Sequence, residues 1–168
     1  MTTPVYGTQH AQDAGPQIGR AHAAVSYVGI AGGVLAAIGS ALAWVELSIG
    51  GESETLKGTE GDDGTFVIVA ALLAAALFVG GVVARKAVVS AAAAVPALVA
   101  LVFGILNVAD AERLPTQKLE GEGASSAEIS EGLEMFDIST SFGVYVVLVG
   151  ALVAVVAGVM AFLKGRSA

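Results

Sequence analysis

Carboxylates are the side chains of this chain best placed to do chemistry. Glu60-Gly61-Asp62-Asp63-Gly64 sets three acids within four positions, and clustered carboxylate oxygens hold hard cations such as Ca²⁺ and Mg²⁺. Glu60, Asp62 and Asp63 are therefore the candidate metal ligands. The segment lacks the alternating D-x-D-x-D-G spacing and the distal bidentate Glu of a calcium loop, so solvation of an exposed loop is the competing reading. Glu120, Glu122, Glu128, Glu131, Glu134 and Asp137 form a second acidic stretch. His10 and His22 stand twelve residues apart with only Asp13 nearby, a poor beginning for a metal or general-base site. Ser26, Ser40 and Ser90 lie in apolar stretches with no histidine to activate them, and such serines usually bond their own helix backbone. The absence of cysteine removes disulfides, thiolate metal sites and cysteine nucleophiles. There is no phosphate-binding glycine loop, no H-E-x-x-H and no nucleophile elbow. Neither catalytic residues nor a cofactor are expected, and the chain reads as a non-enzyme.

The elements that would carry these residues follow from composition. Of 168 residues, 55% are hydrophobic and 14% charged, against roughly 45–50% and about 25% in soluble domains. The surplus is Ala, Val, Leu and Gly, which suits helices packed closely in lipid. The net charge of −7 argues against nucleic acid and against a polybasic attachment to anionic lipid.

Crossing a bilayer core takes roughly 20 mostly apolar residues. Four uncharged stretches qualify: 25–45, 66–84, 87–108 and 142–163. The expected fold is an all-α membrane protein, four transmembrane helices in an up-down bundle. Outer loops 46–65 and 109–141 join the spans, with a cytoplasmic N-terminal tail over 1–23 and a C-terminal tail over 165–168. Arg20, Arg85, Lys86, Lys164 and Arg166 fall on one side with Asp13; Lys57, Arg113 and Lys118 fall on the other with all the remaining acids. Lysine and arginine are retained in the cytoplasm, so both termini are expected there, in a multi-pass protein of the cell membrane. Ser40-Ala41-Leu42-Ala43 ends in a signal-peptidase-like A-x-A, but the apolar run is too long for a signal peptide and the first span is expected to stay uncleaved.

The tail to about residue 15 reads as disordered, with 17–24 available to extend the first helix. In the first outer loop, alternation and turn glycines suggest strand pairing of 47–49 with 55–56. In the second, Ser125 with Glu128 fits a capping box, and Ile129, Leu133 and Phe136 form one stripe of a short amphipathic helix. Leu114-Pro115 and 121–123 read as irregular connections.

Gly29 and Gly33 form a GxxxG, and Gly150, Ala154 and Gly158 line one side of the last span. Such positions let helix backbones approach, either within the bundle or against a partner. Pro96 strips the Ala92 carbonyl of its helical partner and predicts a kink. Trp44 and Tyr145, with Arg85 and Lys86, are the expected interfacial anchors. No ionisable group lies inside a span: Glu46, Asn107 and Asp110 sit at span ends, which argues against a pump or proton relay. The expected function is a scaffold or accessory subunit in the lipid bilayer, a homo-oligomer or packed against other membrane subunits, with its acidic loops as contact surface. A small oligomeric channel, or a cation or lipid sensor, is the alternative.

Several short features together resemble small four-span membrane proteins of unassigned function from actinobacterial genomes. They are Ala43-Trp44-Val45, Asp63-Gly64-Thr65-Phe66, the Arg85-Lys86 turn, Asn107-Val108-Ala109-Asp110 and Phe142-Gly143-Val144-Tyr145. The resemblance covers most of 25–163 and implies a membrane location without catalytic residues. The 109–141 loop is longer than that pattern and implies a specialised outer face. The Trp at the end of the first span also gives a claudin-like layout, but the paired loop cysteines are missing and that function is not carried over.

Overall fold

A computed structural model describes residues 18–166. The expected tail up to residue 17, and the last two residues, lie outside the described residues. Four helical units are long and apolar enough to cross a membrane. They are α1 (Ile18–Ser40), α2 (Asp62–Ala84), the pair α3 (Ala87–Ala92) and α4 (Ala94–Ala109), and α7 (Phe142–Arg166). At about 1.5 Å per residue a 23-residue helix is ~34 Å long, enough for a hydrocarbon core of about 30 Å.

Small residues set how these helices meet. A Cβ on Gly33 would lie 2.9 Å from the Ala71 carbonyl, one on Gly150 would lie 2.5 Å from the Ala36 nitrogen, and one on Gly158 would lie 2.9 Å from the Ala94 nitrogen. Gly29 is filled by the ring of Phe78. Ala154 is buried beside Gly32. As α1 numbers rise along these contacts, those of α2 and α7 fall, so the neighbours run antiparallel. All five small residues thus face other helices of the same chain. Between α3 and α4 the helix breaks at Ala93, where the kink from Pro96 was expected.

The chain departs from an all-helical reading at one end. The first span stops at Ser40, and residues expected to complete it enter β1 (Ala43–Ile49). β1 pairs antiparallel with β2 (Glu52–Lys57) on one side and β3 (Asp137–Thr140) on the other. Gly50 and Gly51 adopt φ of 60° and 91°, the left-handed pair that a two-residue hairpin turn requires. The β1–β2 register shifts between Ala43 and Val45, so Trp44 and Val45 both point inward. The second outer segment, expected to hold one helix, holds two: α5 (Arg113–Gly121) and α6 (Ser126–Leu133). Pro115 sits in the first turn of α5, where a missing N–H costs nothing. The capping box forms as expected, with Ser125 Oγ accepting from the Glu128 N–H and the Glu128 carboxylate accepting from the Ser125 N–H at 2.9 Å. Ile129 and Leu133 are buried, but Phe136 lies beyond the helix and is exposed. Trp44, Val45, Leu47, Leu56, Leu114, Ile129 and Leu133 share one core with Val67, Val144 and Val147 of the long helices. Sheet, α5 and α6 therefore form a cap continuous with the helices. α2 begins at Asp62, four residues ahead of the expected span, because its first turn belongs to this cap.

Among the described residues the opposite end has no such cover. α2 ends at Ala84 and is capped by Arg85, the only non-glycine residue with positive φ among the described residues, at 54°. The left-handed region costs roughly 1–2 kcal/mol for a residue with a Cβ. Lys86 N–H closes the end by donating to Gly81 O at 3.0 Å.

Candidate functional site

The main polar site is the junction between cap and helices. Asp63, in the first turn of α2, is 3% exposed. Arg113, first residue of α5, donates through Nε to Asp63 Oδ2 and through Nη2 to Oδ1 at 3.3 Å. Asn107, near the end of α4, donates to Asp63 Oδ2 at 2.8 Å and to the Phe103 carbonyl at 3.0 Å. Gln117, one turn along α5, accepts from the Asp63 N–H at 3.2 Å. Asp63 also lies at a helix N-terminus, where the backbone favours negative charge. A carboxylate this buried needs such partners, because losing water costs an unpaired ion several kcal/mol. The network pins α2, α4 and α5 together. Asn107 Oδ1 is the one buried side-chain acceptor without a partner among the described residues.

Beside it, Lys118 Nζ lies 2.7 Å from Glu60 Oε2, and Glu60 Oε1 accepts from the Lys57 N–H at 3.0 Å. The Lys118 hydrogen bond, then that N–H, hold the Glu60 carboxyl below the ordinary glutamate range, and Glu60 in turn raises Lys118. Arg113 is raised by its bond to Asp63. An open depression of about 590 Å³ is bordered by Glu60, Asp62, Lys118, Glu120 and Glu122.

The three candidate metal ligands are drawn apart rather than together. Glu60 faces Lys118, Asp63 faces Arg113, and Asp62 stays exposed. Among the described residues no group of three or more His, Asp or Glu is placed to hold a metal. Two of the three candidates instead pair with the chain's own cations. Sequence reasoning noted Asp63, Asn107 and Arg113 separately and missed their convergence. The available signal was scarcity: only Lys57, Arg113 and Lys118 accompany the outer acids, and two of them end up in ion pairs with acids just ahead of, or in the first turn of, α2.

At the other end a smaller polar group forms. Ser26 and Ser90 are fully buried with their Oγ atoms 3.0 Å apart, and His22 Nε2 lies 3.3 Å from Ser90 Oγ. No described carboxylate orients His22, and Ser90 has no exposed surface for a substrate to reach, so the group is a polar clasp between α1 and α3. Ser40 Oγ bonds the Ala36 carbonyl of its own helix.

The expected anchors divide. Trp44 is 0% exposed and donates its indole N–H to the Gly39 carbonyl at 3.0 Å, so it packs the cap–helix core instead of meeting headgroups. The bulge turns it inward. Tyr145 is half exposed, its hydroxyl 2.9 Å from Thr140 Oγ1. Arg85 and Lys86 are exposed at the uncapped end.

Comparison with protein-family models, curated proteins and solved structures found no match to this chain.

Proposed function

We propose that this chain is a non-enzymatic accessory or scaffold subunit of the cell membrane that uses its acidic cap as the contact surface. Four apolar helices support the multi-pass reading. Both termini belong in the cytoplasm on this reading, since the basic residues gather at the uncapped end and the acids at the capped one. Gly29, Gly33, Gly150, Ala154 and Gly158 are used within the chain, which favours the cap for partner contact.

One observation carries the reading. Ile49, Met135 and Phe136 remain exposed at the far end of the sheet, Met135 at 65%. The Ser48–Asp137 pairing brings their segments side by side. Exposed Glu52, Glu131, Glu134 and Asp137 belong to the same segments. Apolar residues within a charged rim mark a protein contact, and the rim selects a partner with basic residues. A second copy would bring like charge, which disfavours pairing cap to cap. Ala74, Phe78, Ala93, Ala97 and Ala154 pack together as a buried cluster between the helices, which favours a scaffold over a pore through a single chain.

A photo-crosslinking amino acid at Phe136, compared with one at lipid-facing Val69, tests this in native membranes. A discrete protein adduct from position 136 alone is expected. Lipid adducts only, or identical adducts from both positions, would sink the cap as a contact surface.

A further inference from the structure

Among the described residues, four exposed cations and no acidic side chain stand on the two segments that meet at the uncapped end. Arg85 and Lys86 form the turn after α2, and Lys164 and Arg166 lie in the last turn of α7; all four are exposed. The two segments are in contact, since a Cβ on Gly165 would stand 2.7 Å from the Cβ of Ala87, next in chain to Lys86. Asp63, Asp110 and Asp137, the acids nearest in sequence among the described residues, sit at the other ends of their helices or in the cap. The net charge of −7 hides this, because the charge is segregated rather than averaged.

Arg85 stands where glycine is the cheap residue. Its left-handed backbone (φ 54°) is held by its own N–H to Val82 O and by the Lys86 N–H to Gly81 O. A strained non-glycine position is the kind of outlier from which a role is inferred. Arg166 is also placed, its guanidinium 5.4 Å over the Phe162 ring. Exposed apolar side chains stand two residues from these cations in sequence: Val83 (78%) before Arg85, Val88 (69%) after Lys86 and Phe162 before Lys164. Cations with exposed apolar neighbours match an amphiphile with an anionic head, whereas a soluble anion would use only the cations.

We propose that Arg85, Lys86, Lys164 and Arg166 form a headgroup site for an anionic diacyl phospholipid, its acyl chains lying against Val83, Val88 and Phe162. On the orientation proposed above the lipid belongs to the cytoplasmic leaflet. The site rests on the membrane-spanning reading and goes beyond the cap contact.

The test uses full-length protein extracted in non-ionic detergent, with phosphatidylglycerol, phosphatidylcholine or soluble glycerophosphate added. Native mass spectrometry counts retained lipid and thermal unfolding reads stabilisation. Phosphatidylglycerol is expected to be retained over phosphatidylcholine, with affinity falling about fivefold per cation removed. Arg85→Gly has a signature of its own: it relieves the backbone, so the unfolding temperature rises without lipid while the shift on adding phosphatidylglycerol shrinks. Lys164→Gln with Arg166→Gln is expected to weaken lipid retention without raising the lipid-free temperature. Equal retention of the two lipids, unchanged retention in both variants, or an equal shift with glycerophosphate would overturn the site. Solubility of the chain without detergent would sink the membrane reading itself, a separate outcome.

Discussion

The two ends of the helices handle charge in opposite ways. At the capped end a carboxylate is buried and must be matched: Asp63 is held by Arg113 and Asn107, with Gln117 accepting from its backbone. At the uncapped end Arg85, Lys86, Lys164 and Arg166 stay exposed with no carboxylate beside them among the described residues, and the buried polar contacts are the neutral pair Ser26 and Ser90, with His22 joined to Ser90. Burying an ion demands partners in fixed geometry, and that geometry fastens whatever supplies them. Leaving ions at the surface needs no partner carboxylate and locks no second element in place. A charged junction therefore belongs where a folded cap has to be locked to helices, and solvated charge belongs where the helices simply end.

The largest test of this contrast is asymmetric. Arg113→Ala strands a side chain that is 4% exposed, whereas Asp63→Asn strands one that is 35% exposed and can rehydrate. Breaking a buried pair from the side that leaves the charge buried costs about 3–5 kcal/mol. Asp63→Asn is expected to cost closer to ~1 kcal/mol, the scale of one hydrogen bond. Unfolding in detergent, followed by Trp44 fluorescence because that indole sits in the cap–helix core, should separate the two variants clearly. Equal losses would mean that the pair does not lock the cap.

How far this could be read from the sequence also differs between the ends. The spans were legible because apolar length is a local property, and the basic turn was legible because two adjacent cations lie between two spans. The cap was legible only in fragments. The Ser125–Glu128 box and the Gly50-Gly51 turn are short-range signals and read correctly. β3 did not, because Asp137–Thr140 is strand only through pairing with β1 some ninety residues earlier. Trp44 looked like a boundary anchor because its inward direction depends on a bulge, which no residue count reveals. The Asp63–Arg113 junction was hidden for the same reason: its partners meet only after the sheet and α5 are in place.

At the uncapped end the expected effects are smaller. Replacing Ser26 or Ser90 singly by Ala leaves one buried hydroxyl without its mate, a loss of about 0.6 kcal/mol on average and up to ~1.7 kcal/mol between membrane helices. Replacing both should recover most of it, since apolar groups of similar shape can be nearly neutral. A single substitution that costs as much as Arg113→Ala would erase the distinction between the ends.

The smallest effect, and the one with a pH signature, comes from the exposed pair of the cap. Glu60 is held below its ordinary range chiefly by Lys118, so its folded pKa lies under its unfolded one. The stability it contributes is then fully present above the unfolded glutamate value, near about 4.3, and is lost as pH falls through the folded value. Both side chains are about a third exposed, at 30% and 33%, so the contribution should stay below ~1 kcal/mol and shrink in salt. Lys118→Met should therefore be slightly less stable than the parent at pH 7 and indistinguishable from it once Glu60 is protonated. Thermal unfolding of the two proteins from pH 7 to pH 3 reads this directly. A gap that widened on acidification, or held constant in high salt, would mean that Lys118 acts through packing of its stem along α5 and not through its charge on Glu60.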